Sequence, residues 1–160
     1  MSISFRPIGP EDRDFLYAVY ASTREEELAV LAWSRSEKDA FLKMQFDAQH
    51  RYYQQQFSKA AFDLILLDGQ PIGRLYVDRS TEENHIIDIA LLPQHRKLGI
   101  GSRLLREIQE ESAQAQKPIL IYVEKNNPAM KLYQKLGFVP VSDTGVYLAM
   151  RWSPEPKKAS

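Results

Sequence analysis

Hydrophobic and polar residues alternate along this chain in patterns that predict short strands and amphipathic helices. The run Ile86–Leu92 is apolar apart from Asp88 and stops at Pro93, which is typical of a strand covered on both faces. Apolar residues then recur at helical spacing, at Ile100, Leu104, Leu105 and Ile108. Because a full helix separates that strand from the next apolar run, Ile119–Val123, the two strands are predicted to be parallel, with a right-handed crossover.

The residues before this central strand predict a strand, then helices, then a hairpin. In chain order the first elements are a strand over Ile3–Ile8, a helix opened by Pro10 that continues through Tyr20, a short helix from Arg24 to near Trp33, and a long helix from Ser34 to Phe57. The long helix has the clearest start, since Ser34 and Glu37 have the spacing of a capping box. Turn residues at Asp68 and Gly69 then predict a hairpin of Phe62–Leu67 with Ile72–Val77.

The C-terminal part is predicted to be a helix followed by a second hairpin. Pro128 starts the helix and Gly137 ends it. The apolar stripe of this helix consists of Ala129, Leu132, Tyr133 and Leu136. The hairpin pairs Phe138–Val141 with Val146–Trp152. The tail from Ser153 to Ser160 has little to bury and is predicted to be disordered, which leaves residues 1–152 as a single domain.

Composition narrows the class of protein. The chain has 160 residues, enough for one domain with its own core, and 44% of them are hydrophobic, as in ordinary globular proteins. It has no cysteine, which excludes disulfides, thiolate metal sites and a cysteine nucleophile. Lysine plus arginine and aspartate plus glutamate both number 21, so no basic excess favours a nucleic-acid partner.

Localisation and metal binding are also constrained by the sequence. The first residues carry charges where a signal peptide needs an apolar core, and no run has membrane-spanning length. We therefore expect a cytoplasmic protein with no membrane partner. The three histidines, His50, His85 and His95, lack metal-ligand spacing, and no metal is predicted.

The segment between the central strand and its helix has the composition of an anion site. Arg96 and Lys97 precede Gly99 and Gly101 where the helix should start. The first turn of a helix presents backbone N–H groups without intrahelical partners, and glycine lets a phosphate approach them. A glycine-rich turn that binds no ligand is the alternative interpretation of the same residues.

Two motifs together resemble the GNAT N-acetyltransferase superfamily. The first, Arg96-Lys97-Leu98-Gly99-Ile100-Gly101, fits that family's acetyl-coenzyme A (acetyl-CoA) motif of Gln or Arg, two residues, Gly, one residue, and Gly or Ala. The second comprises Asn126-Asn127-Pro128-Ala129, Leu132-Tyr133 and Leu136-Gly137-Phe138. The resemblance covers roughly Leu64 to Trp152. It implies an α/β (α+β) fold, with a mixed, mostly antiparallel sheet of about six or seven strands, splayed parallel central strands and about four flanking helices.

The resemblance also implies an enzyme that transfers the acetyl group of acetyl-CoA to a primary amine by direct attack, without a covalent enzyme intermediate. The cofactor-binding residues that it implies are Ile89, Ala90, Leu91, Arg96, Lys97, Leu98, Gly99, Ile100, Gly101, Ser102, Asn126, Ala129 and Tyr133. The pantetheine arm would run beside Ile89–Leu91. The pyrophosphate would bind the amides of Lys97 to Ser102, a segment that we call the glycine turn. We favour Asn126 over Asn127 as the asparagine that contacts the cofactor.

Proton transfer has a short set of candidate residues. By the family motif, Tyr133 is the acid that protonates the departing thiolate, and a core tyrosine bonded to a carbonyl is the alternative. Asp88 is the one charge in the central strand, so it is either a base or the ion-pair partner of an arginine such as Arg74. His85 stands where many relatives carry a glutamate base. Further candidates are Glu83 and Tyr122.

Acceptor recognition is the least constrained part of this interpretation. Trp33, Phe46 and Tyr53 exceed what one helix face needs for burial, so they are candidates to be exposed and line the acceptor site. The acceptor is a small-molecule or peptide amine, and a homodimer is compatible with the sequence. The competing interpretations are a catalytically idle acyl-CoA-binding module and, ranked last, an ATP-binding domain, because the turn lacks the Lys-Ser pair of a P-loop.

Overall fold

The computed structural model describes residues 2–156, in which seven strands and four helices follow one another. The strands are β1 (Ile3–Pro7), β2 (Ala61–Leu67), β3 (Gln70–Asp78), β4 (Asn84–Leu91), β5 (Ile119–Glu124), β6 (Val139–Asp143) and β7 (Tyr147–Trp152). The helices are α1 (Arg13–Ala29), α2 (Arg35–Gln56), α3 (Ile100–Ala115) and α4 (Met130–Lys135). Within this range no helix combines the length and apolar character needed to cross a membrane. The tail prediction falls partly on residues 157–160, which lie outside the described residues.

All seven strands form one mixed sheet in the order β1-β2-β3-β4-β5-β7-β6. Neighbouring strands are antiparallel except β4 and β5, which are parallel as predicted from the helix that connects them. The expected fold class, strand number and helix number are therefore confirmed. The last hairpin folds back so that β7, and not β6, pairs with β5.

The two faces of the sheet carry separate apolar cores. One core packs α3 and α4 against the sheet and includes Leu104, Leu105, Tyr133 and Phe138. The other packs α1 and α2 on the opposite face and includes Leu16, Tyr20, Phe46 and Tyr76. Every strand residue near the middle of the sheet therefore points either toward α3 and α4 or toward α1 and α2.

One prediction about the helices is wrong and another is confirmed. The expected break between Tyr20 and Arg24 does not occur, because this segment contains no glycine or proline and Leu28 continues the buried stripe of α1. The capping box at the start of α2 is present. The Ser34 hydroxyl accepts a hydrogen bond from the Glu37 N–H at 3.1 Å, and the Ser34 N–H donates to the Glu37 carboxylate at 3.1 Å.

The parallel pair β4 and β5 separates part of the way along its length. Only three residue pairs join the strands, and the last of them is Ile86 with Ile121. Beyond this pair β4 continues to Leu91 and β5 continues to Glu124 without pairing to each other. The edges that face each other across this opening leave backbone groups available to a bound molecule.

Candidate active site

A β-bulge in β4 lies directly beyond the last pair that joins β4 to β5. On the β3 side, Val77 is opposite Ile86 and Tyr76 is opposite Asp88, which leaves Ile87 as one extra residue in β4. An extra residue bends the strand and shifts the alternation of its side chains. The bulge therefore coincides with the separation of β4 from β5.

The bulge places two predicted proton-transfer residues on one face of the sheet. His85 and Asp88 are three positions apart and would face opposite ways in a regular strand. Here Asp88 lies opposite Tyr76, whose side chain belongs to the core under α1 and α2. The His85 ring lies edge-on to Phe57 at the end of α2, with 5.2 Å between ring centroids. Both side chains thus face α2.

Asp88 forms an ion pair with the buried Arg74 of β3. One guanidinium nitrogen of Arg74 lies 2.5 Å from Asp88 Oδ2, and the same nitrogen donates to Gln49 Oε1 of α2 at 2.8 Å. Arg74 is 2% exposed, whereas the Asp88 side chain is 18% exposed. The ion pair that the sequence left open as an alternative role for Asp88 is present, and the carboxylate is partly accessible while its partner is not.

His85 is held between aromatic rings from two other elements. Its ring contacts Phe57 and, at 5.6 Å between centroids, Tyr122 of β5. Burial lowers the pKa of His85 below its usual range, and this effect exceeds the opposing influence of the nearby carboxylates of Asp78 and Glu83. A histidine in this condition is neutral at physiological pH and can accept a proton.

Tyr133 is buried on α4, against Phe138, with ring centroids 5.9 Å apart. Burial raises the pKa of Tyr133, and the charge of Asp88 raises it further, so the phenol keeps its proton at neutral pH. Across residues 2–156, the Tyr133 hydroxyl has no hydrogen-bond partner, and the carbonyl partner considered for a purely structural tyrosine is not found there. A protonated phenol without a partner is available as a donor.

The glycine turn leads into the N-terminus of α3 and leaves open space beside its two glycines. Lys97 and Gly99 have positive φ angles of 61° and 84°, and the first backbone bond of the helix runs from the Arg103 N–H to the Gly99 carbonyl at 3.0 Å. The amides of residues 100–102 therefore precede any intrahelical bond. A Cβ atom added at Gly99 or Gly101 would meet nothing within 4 Å. This space fits the approach of a phosphate group to the helix N-terminus.

The side chain of Arg96 connects this turn to the rest of the protein. Its Nε donates to the Leu91 carbonyl at 2.9 Å, and a terminal nitrogen donates to the Ser22 hydroxyl of α1 at 3.1 Å. Two residues further along α1, Arg24 contacts Glu124 at the end of β5 at 3.1 Å. Helix α1 is thus attached to the ends of both strands that border the opening.

The second motif gives each of its two asparagines a distinct environment. Asn127 Oδ1 accepts a hydrogen bond from the Ala129 N–H at 2.9 Å and so supports the turn before α4. Asn126 is exposed, and no hydrogen bond is found for its side chain within the described part of the chain. The role of Asn126 as the cofactor-binding asparagine stays a prediction.

The aromatic residues predicted to line the acceptor site are in three different environments. Phe46 is 2% exposed and packs against Tyr17 and Tyr20 between α1 and α2, so the prediction that it is exposed is wrong. The prediction failed because α1 covers more of the surface of α2 than the residue pattern along α2 alone indicates. Trp33 is 41% exposed, and Tyr53 is largely covered beside Tyr76.

Several contributing residues escaped the sequence analysis. They are Ser22, Arg24, Gln49, Phe57 and Tyr76. Their roles depend on how α1 and α2 lie across the sheet. Of the five, only Phe57, at the end of an amphipathic helix, could have been identified from the sequence pattern. Glu83, a lesser base candidate, is engaged by Arg151 at 2.8 Å. Among residues 2–156 no group of three or more metal-ligating side chains is assembled.

The chain is similar in sequence to known acetyltransferases. The family described as acetyltransferase (GNAT) domain matches residues 59–140, just over half of the 160 residues. An N-alpha-acetyltransferase of Sulfurisphaera tokodaii is 30% identical over 106 residues, which are 57% of this chain and 64% of that protein. The aligned part therefore spans less than two thirds of this curated relative.

The fold is similar to solved acetyltransferase structures over almost the whole chain. The PaiA N-acetyltransferase of Thermoplasma acidophilum, solved with coenzyme A, has a TM-score of 0.71 at 19% identity, covering 96% of this chain and 99% of that one. The histone acetyltransferase HPA2 and related acetyltransferase of Corynebacterium glutamicum has a TM-score of 0.66 at 21% identity, covering 99% and 100%. Since the family match also extends over more than half of the sequence, this chain belongs to the GNAT acetyltransferase family.

Proposed function

We propose that this protein transfers an acetyl group from acetyl-CoA to a primary amine of a small molecule or peptide, by direct attack and without a covalent enzyme intermediate. The observation that carries the proposal is the opening between β4 and β5, which ends beside the glycine turn of α3. An extended arm fits between two separated strands, while its phosphates fit the helix N-terminus. The family membership supports the same reaction class.

Acetyl-CoA, when bound, supplies the acetyl group as an activated thioester. The residues that would hold its pyrophosphate are the amides from Lys97 to Ser102, with Gly99 and Gly101 leaving room for it. Backbone groups of Ile89–Leu91, on the β4 edge that β5 does not cover, would pair with the pantetheine arm and direct an N–H at the thioester oxygen. Asn126 and Ala129, in the turn between β5 and α4, would contact the arm from the side of α4.

Two proton transfers complete the proposed reaction. The Tyr133 hydroxyl donates its proton to the departing sulfur, a role open to it because the phenol keeps its proton at neutral pH and has no partner in the described residues. His85 Nδ1 or Nε2 accepts the proton of the attacking amine, directly or through water. Asp88, the other candidate base, is already engaged by Arg74, so the contacts favour His85.

A second candidate function is acyl-CoA binding without catalysis. The same opening and glycine turn would serve such a module. A non-catalytic module would give the Tyr133 phenol and the neutral His85 imidazole no role. Acetyl transfer accounts for more of the described residues.

The first prediction tests the reaction itself. With acetyl-CoA and a panel of primary amines that includes peptide N-termini, we expect release of free coenzyme A thiol together with one acetylated amine per thiol. Thiol release is measured with a colorimetric thiol reagent, and the acetylated product is identified by mass spectrometry. Tight acetyl-CoA binding with no acetylated product from any amine would favour the non-catalytic module.

The second prediction concerns Gly101. Replacement by valine should weaken acetyl-CoA binding by about tenfold or more, because the branched side chain would occupy the space proposed for the pyrophosphate. The fold should remain intact, since a Cβ at this position meets no protein atom within 4 Å and the residue lacks a positive φ angle. Affinity is measured by titration calorimetry and stability by thermal unfolding.

The matched control for this substitution lies at the other end of the same helix. Ala115 is exposed in the last turn of α3, so Ala115→Val adds a branched side chain to α3 far from the glycine turn. We expect its affinity for acetyl-CoA to equal that of the native protein. Equal affinity of Gly101→Val and the native protein would contradict the assignment of the glycine turn.

A further inference from the structure

The carboxylate of Asp88 is held through one of its two oxygens and is partly exposed, at 18% of its side chain. Arg74 contacts only Oδ2, and its nitrogen is shared with Gln49, so the ion pair is not bidentate. In the part of the chain that the structure describes, Oδ1 of Asp88 has no hydrogen-bond partner. A carboxylate with one oxygen fixed and one free is oriented to receive a cation.

A row of aromatic rings borders the same face of the opening. Tyr53 of α2 and Phe57, the residue after α2, are 6.2 Å apart between ring centroids. Phe57 and His85 are 5.2 Å apart, and His85 and Tyr122 are 5.6 Å apart. We call these four residues the aromatic row. It runs from α2 across β4 to β5, and Tyr122 lies one residue beyond the last pair that joins the two strands. Rings of this kind favour alkyl chains and cations over anions.

Two of the arginines around this opening are engaged by carboxylates. Arg24 is contacted by both Glu27 and Glu124, and Arg74 is contacted by Asp88. Arg74 is also too deeply buried to reach a ligand. Because neither of these two arginines is free to pair with it, an amine that carries its own carboxylate would gain no compensating contact from them, whereas an alkylammonium could contact the unengaged oxygen of Asp88.

We propose that Asp88 binds the ammonium group of the acceptor, that the aromatic row contacts its alkyl chain, and that Arg74 is a positioning residue that holds the carboxylate. The acceptor class is then a primary alkylammonium without a carboxylate next to the amine. This inference rests on the proposed acetyl transfer and assigns its substrate class. Asp88 acts in acceptor binding, and proton removal belongs to His85.

Three amines of matched shape test the substrate class. Pentylamine, norleucine and norleucinamide share the same alkyl chain and differ in whether a carboxylate or an uncharged amide stands beside the amine. With saturating acetyl-CoA, we expect the KM of norleucine to exceed those of pentylamine and norleucinamide by about tenfold or more. A KM for norleucine at or below that of norleucinamide would overturn the inference.

Substitution of Asp88 tests whether this residue binds the ammonium group of the acceptor. Asp88→Asn keeps the size of the side chain, and we expect the KM of pentylamine to rise by about tenfold or more while kcat changes less. The disadvantage of norleucine should shrink in the same variant. Asp63→Asn is the control, because Asp63 is a half-buried carboxylate of β2 opposite Leu75, on the face that packs against α3. An unchanged KM in Asp88→Asn would assign ammonium binding elsewhere.

The test of Arg74 needs a measurement that would not change if the residue had a purely structural role. Arg74→Met should raise the KM of pentylamine and leave acetyl-CoA affinity unchanged, and Arg74→Lys should recover part of the loss because it restores a cation beside Asp88. Equal KM values in the methionine and lysine variants would contradict a positioning role. If Arg74→Met fails to fold, Arg74→Lys and Asp88→Asn still carry the test.

A binding measurement separates this inference from the proposed reaction. Titration calorimetry of pentylamine into protein saturated with coenzyme A needs no turnover. Binding that is lost in Asp88→Asn, with no acetylated product, would support the ammonium site and reject acetyl transfer. Turnover with a KM that does not depend on Asp88 would reject the ammonium site and keep acetyl transfer. Absence of both binding and turnover would overturn both proposals.

Discussion

Replacing Tyr133 by phenylalanine should lower kcat by about 10²–10⁴-fold while leaving the affinity for acetyl-CoA nearly unchanged. The phenol is buried on α4, and both its burial and the charge of Asp88 raise its pKa, so the proton is present to be donated. Only the hydroxyl is removed, and the ring packing against Phe138 is kept. An interaction that is made only as the sulfur departs affects kcat and not ground-state binding.

The measurement needs a control for the loss of a buried phenol. Tyr20 is buried between α1 and α2, and its hydroxyl has a partner of its own, since it bonds the Gln45 side chain at 3.1 Å. Tyr20→Phe should therefore lower stability slightly and keep kcat. Single-turnover rates with saturating acetyl-CoA isolate the chemical step. Native kcat in Tyr133→Phe would return this residue to a structural role in the core.

Much of the fold could be predicted because local chemistry and tertiary structure agree. Ser34 and Glu37 specify the start of α2, and the Gly137 position has the positive φ angle of 95° that a helix end favours. The parallel arrangement of β4 and β5 followed from the length of chain between them. The break predicted between Tyr20 and Arg24 was wrong because no helix-breaking residue separates them and α1 runs on to Ala29.

The candidate site could be predicted only in part, since its geometry depends on contacts between distant segments. The glycine turn and Tyr133 were recognisable from spacing along the chain. The bulge at Ile87 was not, although it decides that His85 and Asp88 share a face. Burial of Phe46 likewise depends on how α1 covers α2. A residue pattern in one strand or helix carries no information about the second element that packs on it.

The bulge also explains why two titratable residues in one strand can have different tasks. Asp88 is charged and held by Arg74, so it suits the binding of a cation. His85 is neutral and lies between the rings of Phe57 and Tyr122, so it suits the acceptance of a proton. A regular strand would have directed one of them into the core under α3. The proposed division of binding and proton removal between the two therefore depends on one extra residue in β4.

This division leads to a prediction about pH dependence. Replacing His85 by glutamine should lower kcat/KM by about 10²–10⁴-fold and remove the acidic limb of the pH profile. Burial lowers the pKa of His85, so the native protein should lose activity only as pH falls below the usual histidine value of about 6.5. The sign follows from the role, because the base is active when neutral and is inactivated by protonation. Glutamine cannot titrate, so its residual rate should be flat in this range.

His50 provides a matched control for this substitution. It is half-buried on α2, stacks on Phe46, and also has a pKa lowered mainly by burial, but it does not border the opening. His50→Gln should keep both the rate and the acidic limb. Because a histidine with a lowered pKa in the folded state favours unfolding when protonated, circular dichroism must show that each variant stays folded at the lowest pH used. An acidic limb that persists in His85→Gln would transfer the role of base to Asp88 or to solvent.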